Sequence, residues 1–276
     1  AVCGDTTVWK PSLLAPLIGG MLKQGFAATD ITVIDPGAEA RGRLSEAYAV
    51  NCLESTEMLA KTPDSLGDLL VLAVKPQQMK EAVAPLAGKL GDAVVVSIAA
   101  GLDLATLSRF LGGHRKIVRC MPNTPALIGA GITGLCPLPE VSEAGRAAAD
   151  RVLSAVGSTV WIADESRMDG VTALSGSGPA YVFLFIEALQ QAAADLGFTP
   201  EQGRQLAIET VQGAAALAAQ SSEPAALLRE RVTSKGGTTE AALKTMAEKG
   251  VKEGIIAGVK AAEARGRELG KLLGAA

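Results

Sequence analysis

The stretch from Leu69 to Gly101, LLVLAVKPQQMKEAVAPLAGKLGDAVVVSIAAG, decides the fold. It contains two short, continuously apolar runs, LLVLAV at 69–74 and AVVVSIA at 93–99, with a helix-like segment between them. A strand that is apolar on both faces is covered on both faces, which is typical of a parallel sheet flanked by helices. The stretch therefore predicts a strand, a helix and a second, parallel strand.

The same alternation extends over the first part of the chain. Further apolar runs are TTVW at 6–9, ITVID at 31–35 and KIVRC at 116–120, and amphipathic segments separate them. We therefore predict an α/β domain with a doubly wound parallel sheet over residues 1–162. TTVW is its predicted first strand, and SLLAPLIGGMLKQG at 12–25 is its predicted first helix.

After Ala163 the strand-like runs stop, and the sequence predicts an all-α domain over residues 163–276. Helix-like segments occur at 179–198, 200–219, 224–231, 238–248 and 250–272. Several are rich in alanine and apolar around much of their circumference, as in QGAAALAAQ and GIIAGVKAAEA. Such helices must be buried on all sides, so we expect them to form a homodimer or a larger homo-oligomer.

Composition narrows the class of protein further. Of the 276 residues, 48% are hydrophobic and 20% are charged, with a net charge of −3, which predicts a folded protein. The basic residues are scattered, so we expect neither nucleic acid nor a membrane as a partner. No run approaches the roughly 18 to 20 apolar residues of a membrane span. The first residues also lack the basic and apolar regions of a secretory signal.

The cysteines and the histidine predict reduced thiols rather than a metal site. The four cysteines, at positions 3, 52, 120 and 136, have neither paired nor metal-type spacing. The single histidine, His114 in LGGHRK, is predicted to be a surface residue in the turn before a strand rather than a general base. These features favour a cytoplasmic location and no metal.

Three segments lie at predicted strand ends, where doubly wound sheets bind ligands: LAVKP at 72–76, SIAAG at 97–101 and RCMPNTPA at 119–126. They are either plain turns or parts of one cleft, and three in succession favour the cleft. Asp35 is placed to bind the ribose hydroxyls of an adenine nucleotide, with Arg41 nearby for a 2′-phosphate, or it is simply a turn aspartate before Pro36. NAD and NADP stay open on this pattern.

Two glycine- and hydroxyl-rich segments precede helical patterns. VTSKGGTTEAAL at 232–243 offers several free backbone N–H groups to a carboxylate or phosphate, and one capping hydroxyl alone would not require so many glycines and hydroxyls. LSGSGPAYVF at 174–183 has a serine cap and a proline suited to a first helical turn. Each segment is either an anion site or a capped helix start, and the first favours an anion site.

Taken in order, five segments resemble the pyrroline-5-carboxylate reductase family: LAVKPQQM, VVSIAAG, RCMPNTPALIGAG, VTALSGSGPAYVFLFIEAL and RVTSKGGTTEAAL. The resemblance extends from about Leu17 to about Arg267. It implies a Rossmann-type domain followed by a helical dimerisation domain. It also implies reduction of the imine of Δ1-pyrroline-5-carboxylate to L-proline with NADPH or NADH.

The resemblance also assigns residues. It implies that the substrate carboxylate binds Ser234, Gly236, Gly237 and Thr238, and that the catalytic Thr239 hydrogen-bonds the ring nitrogen. The implied cofactor-binding residues are Ala73, Val74, Lys75, Pro76, Ser97, Ala99, Ala100, Met121, Pro122 and Asn123. A hydroxyl at the nitrogen and a helix start at the carboxylate would orient the imine without a residue of shifted pKa.

One part of the family pattern is missing. In register with LIGG at 17–20, the glycine fingerprint positions hold Trp9, Pro11 and Leu14. Glycines there permit a tight turn and close approach to the pyrophosphate. Three interpretations are open: the pyrophosphate binds the later loops, the chain is a relative that has lost the turn, or residues 1–16 do not belong to the natural sequence.

Two other functions remain compatible with the sequence. A Rossmann-type hydroxy-acid dehydrogenase would share the architecture, although it would normally carry a lysine or a similar acid–base group in the helical domain. An oligomeric scaffold or binding protein would keep the fold without the cofactor turn.

Overall fold

The computed structural model describes residues 2–4, 13–61 and 67–274, with only the backbone for residues 2–4. The chain divides into two compact units. The first comprises Ala1–Ser177 with Ala262–Ala276, and the second comprises Gly178–Ala261.

The first unit is built on an eight-stranded sheet in the order β3-β2-β1-β4-β5-β6-β7-β8. Its strands are β1 Val2–Gly4, β2 Thr32–Ile34, β3 Asn51–Leu53, β4 Leu69–Ala73, β5 Val94–Ser97, β6 Ile117–Met121, β7 Gly131–Pro137 and β8 Gly157–Trp161. Strands β1 to β6 are all parallel, and β7 runs antiparallel to β6 and parallel to β8. The order 3-2-1-4-5-6 of the first six is that of a doubly wound Rossmann sheet, so the predicted fold class is confirmed.

Apolar runs that continue along a strand supply both faces of this sheet. In β4, Val71 belongs to one buried cluster, whereas Leu70 and Leu72 belong to another. In β5, Val96 and Val95 divide between the two clusters in the same way. Because successive side chains point to opposite faces, an uninterrupted apolar strand requires two covering layers.

Helices form those layers: α1 Leu14–Lys23, α2 Ala38–Tyr48, α3 Thr56–Ala60, α4 Met79–Val83, α5 Leu104–Phe110, α6 Glu143–Leu153 and α7 Met168–Val171. Residues that favour the N-cap position cap two of these helices. The Asp103 carboxylate accepts the N–H of Thr106 at 2.7 Å, and the Ser142 hydroxyl accepts that of Gly145 at 3.1 Å.

The first strand lies elsewhere than predicted. Val2–Gly4 occupies the central position, between β2 and β4, whereas the prediction chose TTVW at 6–9, which lies outside the described residues. A three-residue strand carries too short an apolar run to stand out from the sequence. The predicted first helix, at 12–25, is confirmed as α1.

The second unit is helical, and its elements agree closely with the predicted segments. They are α8 Gly178–Asp195, α9 Pro200–Gln220, α10 Ala225–Arg231, α11 Thr238–Glu248 and the first part of α12 Val251–Gly274. Gly197 follows α8 in the left-handed region at φ 85°. Thr199 and Gln202 form a reciprocal capping box at the start of α9.

Large apolar side chains of this unit are exposed. Phe183 is 64% and Leu184 66% exposed in α8, where Ala193 is the buried residue, and α12 has no buried residue among those described. One described helical stretch, Glu165–Asp195, is long and apolar enough to cross a membrane by length and composition, and 6% of its apolar 18-residue window is buried. That criterion is weak, because an interface helix also meets it.

The division into units falls at other residues than the predicted boundary at 162/163. Residues 163–177 belong with the sheet because Met168 is fully buried in its core. The last turns of α12 belong there too, since Leu273 packs on the same core and Arg109 donates to the carbonyl of Gly274 at 2.8 Å.

Candidate active site

The predicted cofactor-binding residues follow neighbouring strands in the first unit. Gly4 of β1 lies opposite Ala73 of β4, Leu72 opposite Ser97 of β5, and Ser97 opposite Arg119 of β6. Since these strands are parallel, the loops that follow them begin side by side at the carboxyl edge of the sheet. The segments 73–76, 97–101 and 121–123 therefore lie along one edge, as a common cleft requires.

The loop after β5 is compact. The Ser97 side chain is fully buried, and its hydroxyl accepts the N–H of Ala99 at 3.4 Å, while Ala100 is exposed. Gly101 adopts φ 78°, a left-handed conformation that glycine reaches without strain. This turn brings backbone close to the carboxyl edge of the sheet.

A hydrogen bond to β7 restrains the loop that follows β6. The Asn123 carboxamide oxygen accepts the N–H of Ile132 at 2.9 Å. Pro122 is buried and Met121 is half-buried. This hydrogen bond fixes the direction of the loop relative to the last two strands.

A cavity of about 350 Å³ lies beyond the carboxyl ends of β2, β3 and β4. Ile34, Pro36 and Val74 form apolar walls, and Gln78, Ser55 and Thr56 supply polar groups. In doubly wound sheets a dinucleotide binds beyond the carboxyl ends of the strands, and an acidic residue after the second strand contacts its adenosine ribose. The residues present thus fit the adenosine half of a nicotinamide cofactor.

Asp35 and Arg41 stand at the end of β2 beside this cavity. The buried Asp35 carboxylate accepts the N–H of Gly37 at 2.8 Å, as in a turn. Arg41 donates to the carbonyls of Asp35 and Pro36 at 2.8 and 2.9 Å and lies 3.9 Å from the Glu54 carboxylate. The guanidinium is therefore already engaged by three acceptors.

The structure accounts for one of the three positions where fingerprint glycines are missing. Leu14 begins α1 and is fully buried, so its side chain packs in the hydrophobic core rather than at a phosphate. Trp9 and Pro11 lie outside the described residues. The glycine that ends β1 is Gly4, and sequence analysis passed over it because it placed the strand later.

In the second unit, the predicted substrate residues lie together at the start of α11. Gly237 is the N-cap, and no side chain caps this helix. Gly236, at φ 72°, donates its N–H to the Glu240 carboxylate at 2.7 Å, so that N–H is already paired. Within the described residues, the hydroxyls of Ser234, Thr238 and Thr239 have no hydrogen-bond partner, which leaves them available to a ligand.

The second glycine-rich segment differs from its prediction. Residues 174–177 do not cap a helix start, because the chain is already helical from Met168 and passes through a π-helical turn at Thr172–Gly176. The Ser175 hydroxyl donates to the carbonyl of Val171 at 2.9 Å, and the Ser177 N–H donates to that of Thr172 at 2.8 Å. The segment has no free helix N-terminus to offer an anion.

Sequence analysis missed the ion pairs that the buried Arg119 forms. Arg119 of β6 is 8% exposed and contacts the carboxylates of Glu165 at 3.0 Å and Asp169 at 3.5 Å. Glu165 also accepts the N–H of Leu104, the first residue of α5, at 2.7 Å. The available signal was the arginine inside an apolar strand, since a buried arginine requires acidic partners.

The thiols and the histidine contribute no obvious chemistry. Cys52, Cys120 and Cys136 are free, and burial raises the pKa of all three, most for Cys120. His114 is half-buried in the turn before β6 and donates to the carbonyl of Ala93 at 2.9 Å. Burial lowers its pKa, which favours the neutral ring.

A doubly wound sheet with a cavity beyond its carboxyl edge, joined in one chain to a helical unit, is typical of Rossmann-type oxidoreductases. Family comparison agrees: residues 14–101 match the family described as NADP oxidoreductase coenzyme F420-dependent. Residues 165–269 match the family described as pyrroline-5-carboxylate reductase dimerisation.

Similar proteins narrow the class to one family. A pyrroline-5-carboxylate reductase of Pseudomonas aeruginosa is 43% identical over 95% of both chains. A solved structure of such a reductase from Coxiella burnetii superimposes with a TM-score of 0.89 at 34% identity over 97% of both chains. A Plasmodium falciparum enzyme with NADP bound has a TM-score of 0.82 at 27% identity, covering 98% of this chain and 97% of its own. The chain belongs to the pyrroline-5-carboxylate reductase family.

Membership of this family makes the protein an oxidoreductase with a nicotinamide cofactor, and the match to a dimerisation family supports a homo-oligomer. It confirms the resemblance drawn from the five sequence segments.

Proposed function

We propose that this enzyme reduces the C=N bond of Δ1-pyrroline-5-carboxylate and releases L-proline, the last step of proline biosynthesis. The observation that carries the proposal is the start of α11, where the hydroxyls of Ser234, Thr238 and Thr239 have no hydrogen-bond partner among the described residues. A small planar imine with one carboxylate needs such a set of neutral donors. Oxidation of reduced cofactor that depends on added pyrroline-5-carboxylate tests the proposal.

The cofactor would lie along the carboxyl edge of the sheet. When bound, the nicotinamide supplies the hydride that reduces the imine carbon. The segments 73–76 and 97–101 would hold the cofactor, and Met121, Pro122 and Asn123 would flank the nicotinamide. The adjacent strand ends and the cavity at β2, β3 and β4 support this assignment.

The substrate would bind through its carboxylate at the start of α11. The N–H group of Thr238 and the hydroxyls of Ser234 and Thr238 fit a carboxylate at a helix N-terminus. The Gly237 N–H donates to the carbonyl of Ser234 at 3.0 Å, so it would bind the substrate only if that turn opens. Gly236 joins them once Glu240, which accepts its N–H, turns away. The Thr239 hydroxyl then orients the ring nitrogen and relays a proton to it, so that the imine reacts as the iminium.

We place the homodimer contact on the C-terminal helices and the enzyme in the cytoplasm. The exposed apolar residues of α8, including Phe183, Leu184 and Phe185, lie within the segment matched by the dimerisation family. Apolar surface of this extent on a single helix is typical of an interface. The free thiols of Cys52, Cys120 and Cys136 agree with a reducing compartment.

Charge around the adenosine cavity favours NADH over NADPH. The lining includes the carboxylates of Glu54, Glu57 and Glu81, and among the described residues it carries no lysine or arginine. Arg41, in α2, is engaged by two carbonyls and by Glu54, which does line the cavity. A 2′-phosphate would bring close to two further negative charges beside these carboxylates, and like charges repel.

We therefore expect the protein to bind NADH at least about tenfold more tightly than NADPH, a difference of about 1.4 kcal/mol. Titration calorimetry at low and high salt measures both dissociation constants. The double variant Glu54→Gln/Glu57→Gln should bring the dissociation constants for NADH and NADPH closer together. Glu46→Gln, on the exposed face of α2, should leave their ratio unchanged. Tighter binding of NADPH to the unsubstituted protein would refute this preference.

A further inference from the structure

The helical stretch before α8 contains an irregular turn whose two hydroxyls donate to backbone carbonyls of the same helical stretch. In the π-helical turn Thr172–Gly176, the Thr172 hydroxyl donates to the carbonyl of Met168 at 3.0 Å, and the Ser175 hydroxyl donates to that of Val171. Such turns are uncommon inside helices and cluster at functional sites. Because both hydroxyls of the turn donate within the helix, its glycine, Gly176, needs an explanation other than ligand binding.

Gly176 packs directly on Met121. A Cβ atom at Gly176 would lie 2.7 Å from the Met121 methyl carbon, closer than van der Waals contact. One strand further, a Cβ atom at Gly134 would lie 2.7 Å from a Val171 methyl group. Met121 and Gly134 face each other in the β6–β7 ladder. Gly176 thus allows the irregular turn to pack closely on the end of β6, and Gly134 allows Val171, the residue before the turn, to pack closely on β7.

Ion pairs fix the other end of the same segment. Arg119, two residues before Met121, holds Glu165 and Asp169, and Glu165 also accepts the N–H of Leu104 at the start of α5. Residues 165–176 are therefore anchored both to β6 and to the helix that follows the β5 loop. A segment anchored at two points restricts the side chain that it covers.

We propose that residues 165–176 are a positioning element for Met121, and that Gly176 is the positioning residue that sets the Met121 side chain against the nicotinamide. This rests on the proposed function, in which Met121 flanks that ring. Methionine has three flexible side-chain torsions, so its position at a reacting centre depends on what packs against it. Displacement of about 1 Å near a reacting centre can cost up to a hundredfold in rate.

Kinetics of Gly176→Ala test this role. The added methyl group displaces the Met121 methyl, and we expect the turnover number to fall about tenfold with the KM for pyrroline-5-carboxylate changed less than twofold. Met121→Ala removes the clashing atom, so Gly176→Ala should cost less than twofold in that background. Gly178→Ala is the matched control, because no atom lies within 4 Å of its added Cβ.

A second measurement does not depend on turnover. With ¹³C-methyl-labelled methionine, the Met121 signal is assigned as the one lost in Met121→Ala. We expect this signal to shift on addition of NADH and, without cofactor, to shift in Gly176→Ala but not in Gly178→Ala. An unshifted Met121 signal at saturating NADH, or equal effects of Gly176→Ala in both backgrounds, would overturn the proposal. If the unsubstituted protein did not turn over pyrroline-5-carboxylate while the Met121 signal still shifted as expected, the proposed function alone would be refuted.

Discussion

Replacement of Thr239 by alanine should lower the turnover number roughly ten- to a hundredfold, which corresponds to about 1.4 to 2.7 kcal/mol of lost transition-state stabilisation. Thr239 lies in the first turn of α11, half-buried, and its hydroxyl has no partner among the described residues. In the proposed reaction it contacts the ring nitrogen, where charge changes most as the C=N bond is reduced. Thr239→Ser keeps the hydroxyl and should retain most of the activity.

Steady-state kinetics with purified variants measure this effect. Thr245→Ala is a matched control in the same helix, because the exposed Thr245 hydroxyl only donates back to the carbonyl of Ala241 at 3.1 Å. Its turnover should equal that of the unsubstituted enzyme. Full turnover in Thr239→Ala would remove Thr239 from the mechanism.

Replacement of Gly20 by alanine should strongly reduce the stability of the fold. A Cβ atom there would lie 2.1 Å from the carbonyl oxygen of Ala155, in the 3₁₀ turn Ser154–Val156. Backbone cannot rotate away as a flexible side chain can, so either α1 or the turn must move. We expect a loss of about 3 kcal/mol in the free energy of unfolding, at the upper end for overpacking.

The neighbouring glycine provides the control. Gly19 lies in the same helix, but its added Cβ would be 3.4 Å from the Tyr48 ring, an ordinary contact. Because glycine inside a helix costs about 0.5 to 1 kcal/mol relative to alanine, Gly19→Ala should be neutral or stabilising. Urea unfolding followed by circular dichroism measures both variants. Equal stability of the two would contradict the close approach at Gly20.

The strands that sequence analysis located correctly are those with long apolar runs. LLVLAV and AVVVSIA became β4 and β5, because a strand buried on both faces needs apolar side chains at every position. The three-residue strands β1 and β3 have no such run, and their pairing depends on neighbours distant in sequence. Tertiary context, which a local pattern does not contain, determines them.

The bounds of the helices in the second unit were predicted to within a few residues, because the helix ends carry local signals. Gly197 and the Thr199–Gln202 capping box separate α8 from α9 without any tertiary information. The LSGSG segment was misinterpreted because its serines and glycines imitate a helix cap. What distinguishes it is the contact of Gly176 with Met121, a residue 55 positions earlier.

The segments of the candidate site could be predicted from the sequence, but the contacts among their residues could not. Sequence analysis named the strand-end loops, which begin side by side in the sheet, and the residues at the start of α11. The pairing of Glu240 with the N–H of Gly236, and of Arg41 with two carbonyls, came only from coordinates. The assigned roles of these residues stay predictions.

Isotope transfer tests the central claim most directly. The purified protein is incubated with pyrroline-5-carboxylate and NADH deuterated at the transferable position of the nicotinamide, and the product is analysed by mass spectrometry and chiral chromatography. We expect L-proline with one deuterium at carbon 5, formed in step with the oxidation of NADH. Bound cofactor without labelled proline, under conditions in which an authentic relative forms it, would contradict the account and favour a binding protein that has kept only the fold.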